Sequence, residues 1–266
     1  MTKIVKNEFR KFFKGKIFIF EFLLIIGLCL LGVTAYKDMV DITVNELPKS
    51  QTYSEALKDT LRSMDGAEFS KLFLTDFIYK SFFSFFLIFI VITAVNVFSD
   101  DRESGNMKFT ILTGVERNTV ILGKLIFMVC SIFMTVIFNL VLSLVVGTIF
   151  FGAPASMDTV LEVVGMTLLA VVPAFAITVF IALLSQIKIS SKIIMAVGIV
   201  FTFIMGVLDT LTGTSRFSPI GSLSVFSDNV PAINHQLLTG CAVSAVYVAV
   251  GIAAMILISS RYEYYE

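Results

Sequence analysis

Six apolar runs, each long enough to cross a lipid bilayer as a helix, dominate this sequence of 266 residues. A helical crossing needs roughly 20 apolar residues, whereas the strands of a membrane barrel alternate apolar and polar residues over about ten. The runs cover about residues 17–36, 78–98, 123–151, 160–185, 193–212 and 238–260. Only 15% of the residues are charged, against about 25% in soluble domains. The sequence therefore predicts an all-α integral membrane protein, with residues 1–266 forming a single transmembrane domain of six helices.

The basic residues are distributed unevenly among the segments that connect the apolar runs. With the N-terminus in the cytoplasm, residues 1–16, the segments around residues 108 and 190, and the C-terminus all place basic side chains on that side. Arg216 is then the only basic residue in a short loop on the opposite side. Because short loops rich in Lys and Arg remain in the cytoplasm, we expect both termini to be cytoplasmic. The formal net charge of zero gives no indication of a nucleic-acid partner.

The N-terminal residues 1–16 combine basic and apolar side chains at helical spacing. Val5, Phe9, Phe12 and Phe13 share one face, and most of the basic side chains lie elsewhere. This pattern is typical of an amphipathic helix at the membrane surface. We therefore predict an interfacial elbow helix that leads into the first crossing, with a disordered basic tail as the alternative.

Two long connecting segments are predicted on the outer side of the membrane. Residues 37–77 form a polar extracellular segment in which Tyr53, Leu57, Leu61 and Met64 recur at spacings of three and four, which predicts a short amphipathic helix. This helix would cap the bundle or contact a ligand. Residues 212–238 contain two prolines and only short apolar pieces, which predicts extracellular or re-entrant structure shielded by protein or water.

Some residues within the apolar runs predict how the helices pack. Asn139, near the middle of the third run, is expected to make a hydrogen bond between helices or to contact a substrate. Pro173 is expected to kink the fourth helix. Small residues recur every four positions in the fifth and sixth runs, at Gly198, Thr202 and Gly206 and at Ala245, Ala249 and Ala253. Such stripes allow close packing, either within this chain or against a second copy.

The sequence lacks the patterns of a catalytic site. Lys16 and Lys124 each follow a glycine, but neither Gly-Lys pair stands in a G-x-x-x-x-G-K-[ST] phosphate-binding loop. The single histidine excludes the two-histidine pattern of zinc proteases. Glu21, Glu162 and Asp209 lie near the ends of their runs, whereas a proton relay needs ionisable groups at depth. We therefore predict no catalytic residue, cofactor site or metal site, and a chain that is not an enzyme by itself.

Residues 99–124, between the second and third runs, form a central polar segment with four basic and four acidic side chains. The polarity pattern from Glu103 to Leu112 predicts a short helix parallel to the membrane. Gly114 is placed to end this helix, and Asn118 is placed to cap the start of the next crossing. An ordinary charged loop that orients two crossings is the alternative.

The central polar segment resembles a pattern found between the second and third helices of ABC-2 type permeases, the transmembrane subunits of ABC exporters. The matching residues are Glu103, Gly105, Ile111, Leu112, Arg117, Leu122, Gly123 and Lys124. The basic N-terminal helix, the six crossings and the interrupted segment before the last crossing are also similar to that family. Asn106, where threonine is usual, and Gly114, where a proline often stands, depart from the pattern.

The resemblance implies a permease subunit of an ATP-driven exporter in the plasma membrane of a bacterium. Residues 99–122 would then be a cytoplasmic coupling segment that docks on a separate ATP-binding cassette subunit. The residues implied in coupling are Arg102, Glu103, Gly105, Met107, Lys108, Ile111, Leu112 and Arg117. ATP and Mg would be bound by that partner, and none by this chain. Two copies of the chain, or the chain and a paralogue, would form the pathway among the membrane lipids.

The small size and the lack of a fused nucleotide-binding domain are similar to permeases that export bacterial peptides, including those of the phenol-soluble modulin type. A hydrophobic or amphipathic peptide is therefore the expected cargo. Lipid or drug extrusion and lantibiotic immunity are the alternatives within the family. A stand-alone secondary transporter or channel, or a membrane scaffold, is the alternative of another class.

Overall fold

The computed structural model describes residues 1–41, 64–79, 84–112, 114–187, 189–214, 217–224 and 235–262. The helices of this part are α1 (Thr2–Lys14), α2 (Lys16–Asp41), α3 (Gly66–Phe73), α4 (Phe85–Val95), α5 (Asn106–Leu112), α6 (Arg117–Phe151), α7 (Met157–Leu169), α8 (Val171–Leu184), α9 (Ser191–Thr212), α10 (Pro219–Ser224) and α11 (His235–Tyr262). The π-helical turns Leu74–Ile78 and Asn96–Asp100 extend α3 and α4, and the α-helical turn Asp101–Glu103 follows the second of them. The described residues contain no strand, which confirms the all-helical prediction for this part of the chain.

Five helical stretches of the described residues are long and apolar enough to cross a membrane. They are Lys16–Val40, Arg117–Phe151, Met157–Leu184, Ser191–Asp209 and Leu237–Ser259. They coincide with all the predicted runs except the second. The structure therefore confirms the prediction of a multi-pass membrane protein.

The second predicted run, residues 78–98, is divided in the structure. The π turn after α3 ends at Ile78, and α4 begins after Ser84. Ser84 Oγ accepts a hydrogen bond from the N–H of Leu87 at 3.2 Å and donates one to the carbonyl of Ile78 at 2.8 Å. Residues 80–83 lie outside the described residues. Ser84 thus caps a new helix where the sequence predicts the interior of a continuous one.

The two ends of the segment 66–101 contact opposite ends of α6. The N–H of Gly66 donates to the carbonyl of Gly152 at 3.1 Å, directly after α6. At the other end, Asp101 pairs with Lys124 in the second turn of α6. The chain therefore passes from the C-terminal end of α6 at Gly66 to the second turn of α6 at Asp101, while α4 between these points packs on α8 and α9.

The last part of the predicted extracellular segment, residues 37–77, is helical and buried, while its side of the membrane stays a prediction. Ala67, Phe69, Ser70 and Phe73 are fully buried, so α3 belongs to the helical bundle. The sequence did not predict this burial, because polar residues such as Asp65 and Glu68 separate residues 66–77 from the apolar run that begins at residue 78. The predicted amphipathic helix with Tyr53, Leu57 and Leu61 lies outside the described residues.

Helix α1 packs against the first half of α6. The rings of Phe9 and Phe12 contact the ring of Phe127, with centroids 4.9 Å and 5.7 Å apart. Phe13, predicted on the same face, is half exposed. Gly15 has an extended backbone and separates α1 from α2. These contacts orient the helix, while its position in the membrane interface stays a prediction.

Pro173 interrupts the fourth crossing, as the sequence predicts. A turn at Ala170 separates α7 from α8, because Pro173 has no N–H to donate to the carbonyl of Leu169. That carbonyl instead accepts a hydrogen bond from Cys241 Sγ of α11 at 3.7 Å.

The two stripes of small residues have different environments. In α9, Gly198, Thr202 and Gly206 are buried, and a Cβ atom on Gly198 would lie 2.8 Å from Val91 of α4. In α11, Ala245, Ala249 and Ala253 are exposed. The α9 stripe therefore packs within this chain, and the α11 stripe is left for lipid or a second copy.

The short helix α10 packs among α8, α9 and α11. Its residues Ile220, Ser222 and Leu223 are buried. Residues 215–216 and 225–234 of the predicted extracellular or re-entrant segment lie outside the described residues.

Candidate functional site

Asp101 joins α1 and α6 to the central polar segment. Its Oδ2 lies 2.6 Å from Lys124 Nζ of α6 and 2.8 Å from Lys11 Nζ of α1. Lys11 Nζ also lies 3.1 Å from Glu8 Oε1, and Lys124 Nζ also donates to the carbonyl of Val97. Glu8, Asp101 and Lys124 are buried, whereas the side chain of Lys11 is partly exposed. We call Glu8, Lys11, Asp101 and Lys124 the ionic cluster, in which two charges of each sign cancel.

Burial and charge act in opposite directions on this cluster. Burial raises the pKa of Asp101, but the attraction of Lys124 and hydrogen bonds from Lys11 and Lys124 outweigh it and leave that pKa lowered. For Glu8, burial dominates and leaves the pKa raised, although the lysines act against it. Burial lowers the pKa of Lys11, but its hydrogen bond to Asp101 and the charge of Glu8 leave it raised. Asp101 is thus the ionised centre that compensates both lysines.

Arg102 holds the turn between α8 and α9. Its Nη1 donates to the carbonyl of Ser185 at 2.6 Å and to the carbonyl of Ile187, and its Nη2 donates to the carbonyl of Ile189. One guanidinium can reach several carbonyls because its N–H groups form a planar fork. Arg102 alone therefore contacts three carbonyls of this turn.

Glu103 caps the N-terminus of α9. Its Oε1 accepts from the N–H of Ser191 at 2.7 Å, and its Oε2 accepts from Ser191 Oγ at 2.6 Å. The first N–H groups of a helix have no partner within the helix, and a carboxylate is favourable at the positive end of the helix dipole. The two hydrogen bonds from Ser191 lower the pKa of Glu103. A residue far away in sequence thus supplies the cap of α9.

The helix predicted from Glu103 to Leu112 is shorter in the structure. Gly105 has a φ angle of 74°, a left-handed conformation that glycine adopts without steric cost. It separates the turn Asp101–Glu103 from α5, which begins at Asn106. The prediction of one continuous helix is therefore wrong, because the backbone of Gly105 changes the direction of the chain.

The end of α5 agrees better with the sequence. Gly114 has a φ angle of 85°, and its N–H donates to the carbonyl of Ile111 at 2.9 Å, as predicted for a helix end. Ile111 and Leu112 are exposed, and Leu112 is 80% exposed. The side chains of Met107 and Lys108 lie outside the part of the chain that the structure describes.

Helix α6 begins one residue before the predicted cap. Glu116 is the residue before the helix, and α6 starts at Arg117. The prediction that Asn118 caps α6 is therefore wrong, because Asn118 lies inside the first helical turn. Arg117 Nη2 donates to Gln186 Oε1 at 3.2 Å, so Arg117 contacts the same α8–α9 turn as Arg102.

The structure thus gives intramolecular partners to three of the residues implied in coupling, namely Arg102, Glu103 and Arg117. Gly105 forms the bend, and Ile111 and Leu112 face outward. Contact of any of these residues with an ATPase stays a prediction.

Sequence reasoning missed the roles of Glu8, Lys11, Asp101 and Ser191. Two signals were present in the sequence. Glu8 stands between Val5, Phe9 and Phe12 on a face that is otherwise apolar, and Lys124 stands at the start of an apolar run. A charge in such a position requires a partner, but the sequence does not say which one.

Buried polar groups also line α6 within its apolar length. Thr135 Oγ1 donates to Glu21 Oε1 at 3.2 Å, and Glu21 is only 3% exposed. One turn further along α6, Asn139 Oδ1 is buried without a hydrogen-bond partner among the described residues. Ser143 Oγ follows, 2.6 Å from Ser70 Oγ of α3. Glu21 therefore packs against the middle of α6, although it lies near the end of its own apolar run.

Within the described residues, no group of three or more His, Cys, Asp or Glu side chains could hold a metal ion. The site therefore consists of charged and polar side chains that connect helices. Such an arrangement can fix the relative positions of α1, α6 and the α8–α9 turn.

Comparison with known proteins adds one finding to this geometry. Residues 2–219, more than half of the chain, match the family described as ABC-2 family transporter protein. No curated protein matches the chain.

Proposed function

The chain belongs to the ABC-2 transporter family and is a permease subunit of an ABC transporter, and we propose that it forms the membrane pathway of an ATP-driven exporter. Permeases of this family are membrane subunits and not ATPases themselves, and this sequence has no phosphate-binding loop. ATP and Mg are therefore expected in a separate ATP-binding cassette subunit.

The arrangement around α5 is the observation that carries the docking proposal. Helix α5 presents the exposed side chains of Ile111 and Leu112, and exposed apolar side chains that lie together are typical of a contact surface. The turn Asp101–Glu103 directly precedes α5 and is bound to α1, α6 and the α8–α9 turn. We expect the ATPase to bind α5, so that movement of α5 reaches these elements through residues 101–103.

This proposal changes the role expected for three residues. Arg102, Glu103 and Arg117 are occupied by the α8–α9 turn. We expect them to transmit movement to α8 and α9, with direct contact to the ATPase made by α5.

We also propose six crossings, the second of which is broken. Its two contact points on α6, Lys124 and Gly152, are 28 residues apart, which is about 42 Å of helix. That distance exceeds the hydrocarbon core of about 30 Å. The segment that begins at Gly66 and ends at Asp101 contacts α6 at both of these points, so a crossing by α6 requires the chain to cross between Gly66 and Asp101 as well.

A dimer and an apolar cargo complete the proposal. The exposed alanine stripe of α11 provides a face on which a second copy or a paralogue could approach closely. The abundance of Phe and Met, 27 and 11 residues, suits a hydrophobic or amphipathic peptide. Lipid or drug extrusion and immunity against a lantibiotic are the alternatives within the family.

One observation favours a second class of function. Glu21 is buried against the middle of α6, and buried ionisable residues in membrane helices often mark ion or proton pathways. A stand-alone secondary transporter would therefore move cargo in liposomes that contain this chain and no ATPase, with Glu21→Gln abolishing the movement. We expect no such transport.

The docking proposal is tested by co-purification with a candidate ABC ATPase and measurement of ATP hydrolysis. We expect Leu112→Asp to abolish co-purification, because it places a charge on the apolar contact surface. Leu211→Asp is the matched control. Leu211 is 77% exposed and lies near the C-terminal end of α9, on the side of the membrane away from α5, where the ATPase would not reach it. Equal binding by both variants would contradict the assignment of α5 as the docking helix.

A further inference from the structure

A second feature lies away from the central polar segment, in a cavity among α8, α9, α10 and α11. Its volume is about 310 Å³. Apolar side chains form most of its wall, including Ile177, Phe180, Phe201, Met205 and Ile220. Among the described residues that line it, none is charged, and Ser218 and Tyr247 provide the hydroxyl groups. The cavity is therefore suited to a hydrocarbon ligand and unsuited to an ion.

Two residues of the cavity wall lie at the depth of the lipid tails. Tyr247 lies ten residues into the crossing Leu237–Ser259, and Phe201 lies ten residues into the crossing Ser191–Asp209. Ten residues of helix rise about 15 Å, which is half of a hydrocarbon core of about 30 Å. Tyr247 and Phe201 are therefore level with the tails of the lipids.

The cavity opens beside the least buried of the five long helices. The crossing Leu237–Ser259 has the smallest buried share of the five, and Tyr247 and Val250 at the cavity are both exposed. In a membrane, the solvent at this surface is hydrocarbon. A lipid tail can therefore enter sideways without crossing a polar barrier.

An empty cavity of this kind is unfavourable, since its lining atoms lose their dispersion contacts. Water does not fill an apolar cavity, whereas small apolar molecules do. A peptide cargo would bring backbone and polar groups that the lining cannot satisfy. We propose that the cavity binds one acyl chain of a bilayer lipid.

The bound chain would support α10. This helix has only six residues, and its Ile220 shares the cavity wall with Phe180 of α8 and Phe201 of α9. A chain between these side chains would connect α10 to both crossings. The inference concerns lipid binding alone and does not depend on the cargo or the ATPase.

The test is photolabelling of the full chain in nanodiscs that contain a phospholipid with a diazirine in the middle of its acyl chain. Ile177 and Ile220 are only 3% and 2% exposed, so lipid that merely surrounds the protein does not reach them. Leu257 is exposed and serves as the reference for surrounding lipid. We expect mass spectrometry of the digested protein to find label on Ile177 or Ile220 as well as on Leu257.

Two variants should reduce that label. Ala176→Phe fills the cavity, and Val250→Trp covers its opening from an exposed position. Either variant is expected to lower the ratio of label at Ile220 to label at Leu257 about tenfold. This change corresponds to an affinity of the cavity for the acyl chain that is about tenfold weaker. Ala196→Phe adds the same ring at an exposed site of α9 that does not line the cavity, and it should leave the ratio unchanged.

Three results would overturn the proposal. The first is the absence of label at Ile177 and Ile220 in the unaltered chain. The second is an unchanged ratio in Val250→Trp, whose exposed position makes misfolding an inadequate explanation. The third is a crosslink from a photoreactive amino acid at position 247 to a second copy of the chain instead of to lipid. Such a crosslink would show that a neighbouring subunit covers the opening.

Discussion

At the scale of single residues, the polar side chains of the central segment connect helices that are distant in sequence. Asp101, Arg102 and Glu103 are consecutive, yet they reach α1 and α6, the α8–α9 turn, and the N-terminus of α9. The sequence resemblance implied Arg102 and Glu103 in coupling to an ATPase, but it gave no partner within the chain for either. Asp101 lies just before the matching pattern and pairs with both Lys11 and Lys124.

We expect Asp101→Asn to destabilise the protein strongly. The substitution leaves Lys124, which is 3% exposed, without its carboxylate, and breaking a buried ion pair typically costs about 3 kcal/mol or more. Thermal unfolding in detergent should show the loss. Asp100→Asn is the matched control, because the neighbouring Asp100 is exposed. Equal unfolding temperatures for the two variants would contradict the structural role of Asp101.

The same residue predicts the direction of a pH effect. Since the pKa of Asp101 is lowered in the folded protein, its contribution is fully present above the unfolded value of about 3.9. The contribution is lost as the pH falls through the lowered folded pKa. In Asp101→Asn, the free energy of unfolding should therefore fall less between neutral pH and about pH 3 than it does in the unaltered chain. An unchanged acid profile would indicate that other carboxylates dominate.

At the scale of elements, glycines decide where helices can approach and where they end. Gly105 divides the predicted coupling helix by its left-handed backbone. Gly147 of α6 allows α3 to lie against it, because a Cβ atom there would be 2.4 Å from the carbonyl oxygen of Gly66. Neither effect follows from hydropathy, since glycine has no side chain to mark a face. Both depend on which backbone lies opposite.

Gly147→Ala is expected to separate α3 from α6 and to destabilise the protein by about 1–3 kcal/mol, the usual cost of overpacking. The clash is with backbone atoms, which cannot move like the end of a flexible side chain. Gly27→Ala is the matched control, since a Cβ atom at Gly27 would have no atom within 4 Å. The unfolding temperatures of both variants are measured in the same detergent and compared with that of the unaltered chain. A neutral Gly147→Ala would show that α3 does not pack on α6 this closely.

At the scale of the whole molecule, the number of crossings decides on which side each terminus lies. The five long helices alone would place the termini on opposite sides. A sixth crossing by the segment 66–101 would return both termini to the same side. The distribution of basic residues favours the second arrangement.

Fusions to a reporter that is fluorescent only in the cytoplasm should distinguish the two arrangements. We expect fluorescence from fusions at the N-terminus and at the C-terminus. A fusion after Ala155, between α6 and α7, is the internal control and should be dark. Fluorescence at only one terminus would eliminate the broken second crossing.

The sequence by itself determined the membrane class, the five long crossings, the bend at Pro173 and the polar segment at residues 99–124. These properties depend on local composition and on covalent constraints such as the missing N–H of proline. Only the tertiary structure decided the partners of Asp101, Arg102 and Glu103, the division of the second crossing, and the burial of α3 and Glu21. These properties depend on which side chains and backbones meet across distant parts of the chain, and helical periodicity specifies a face without specifying what lies against it.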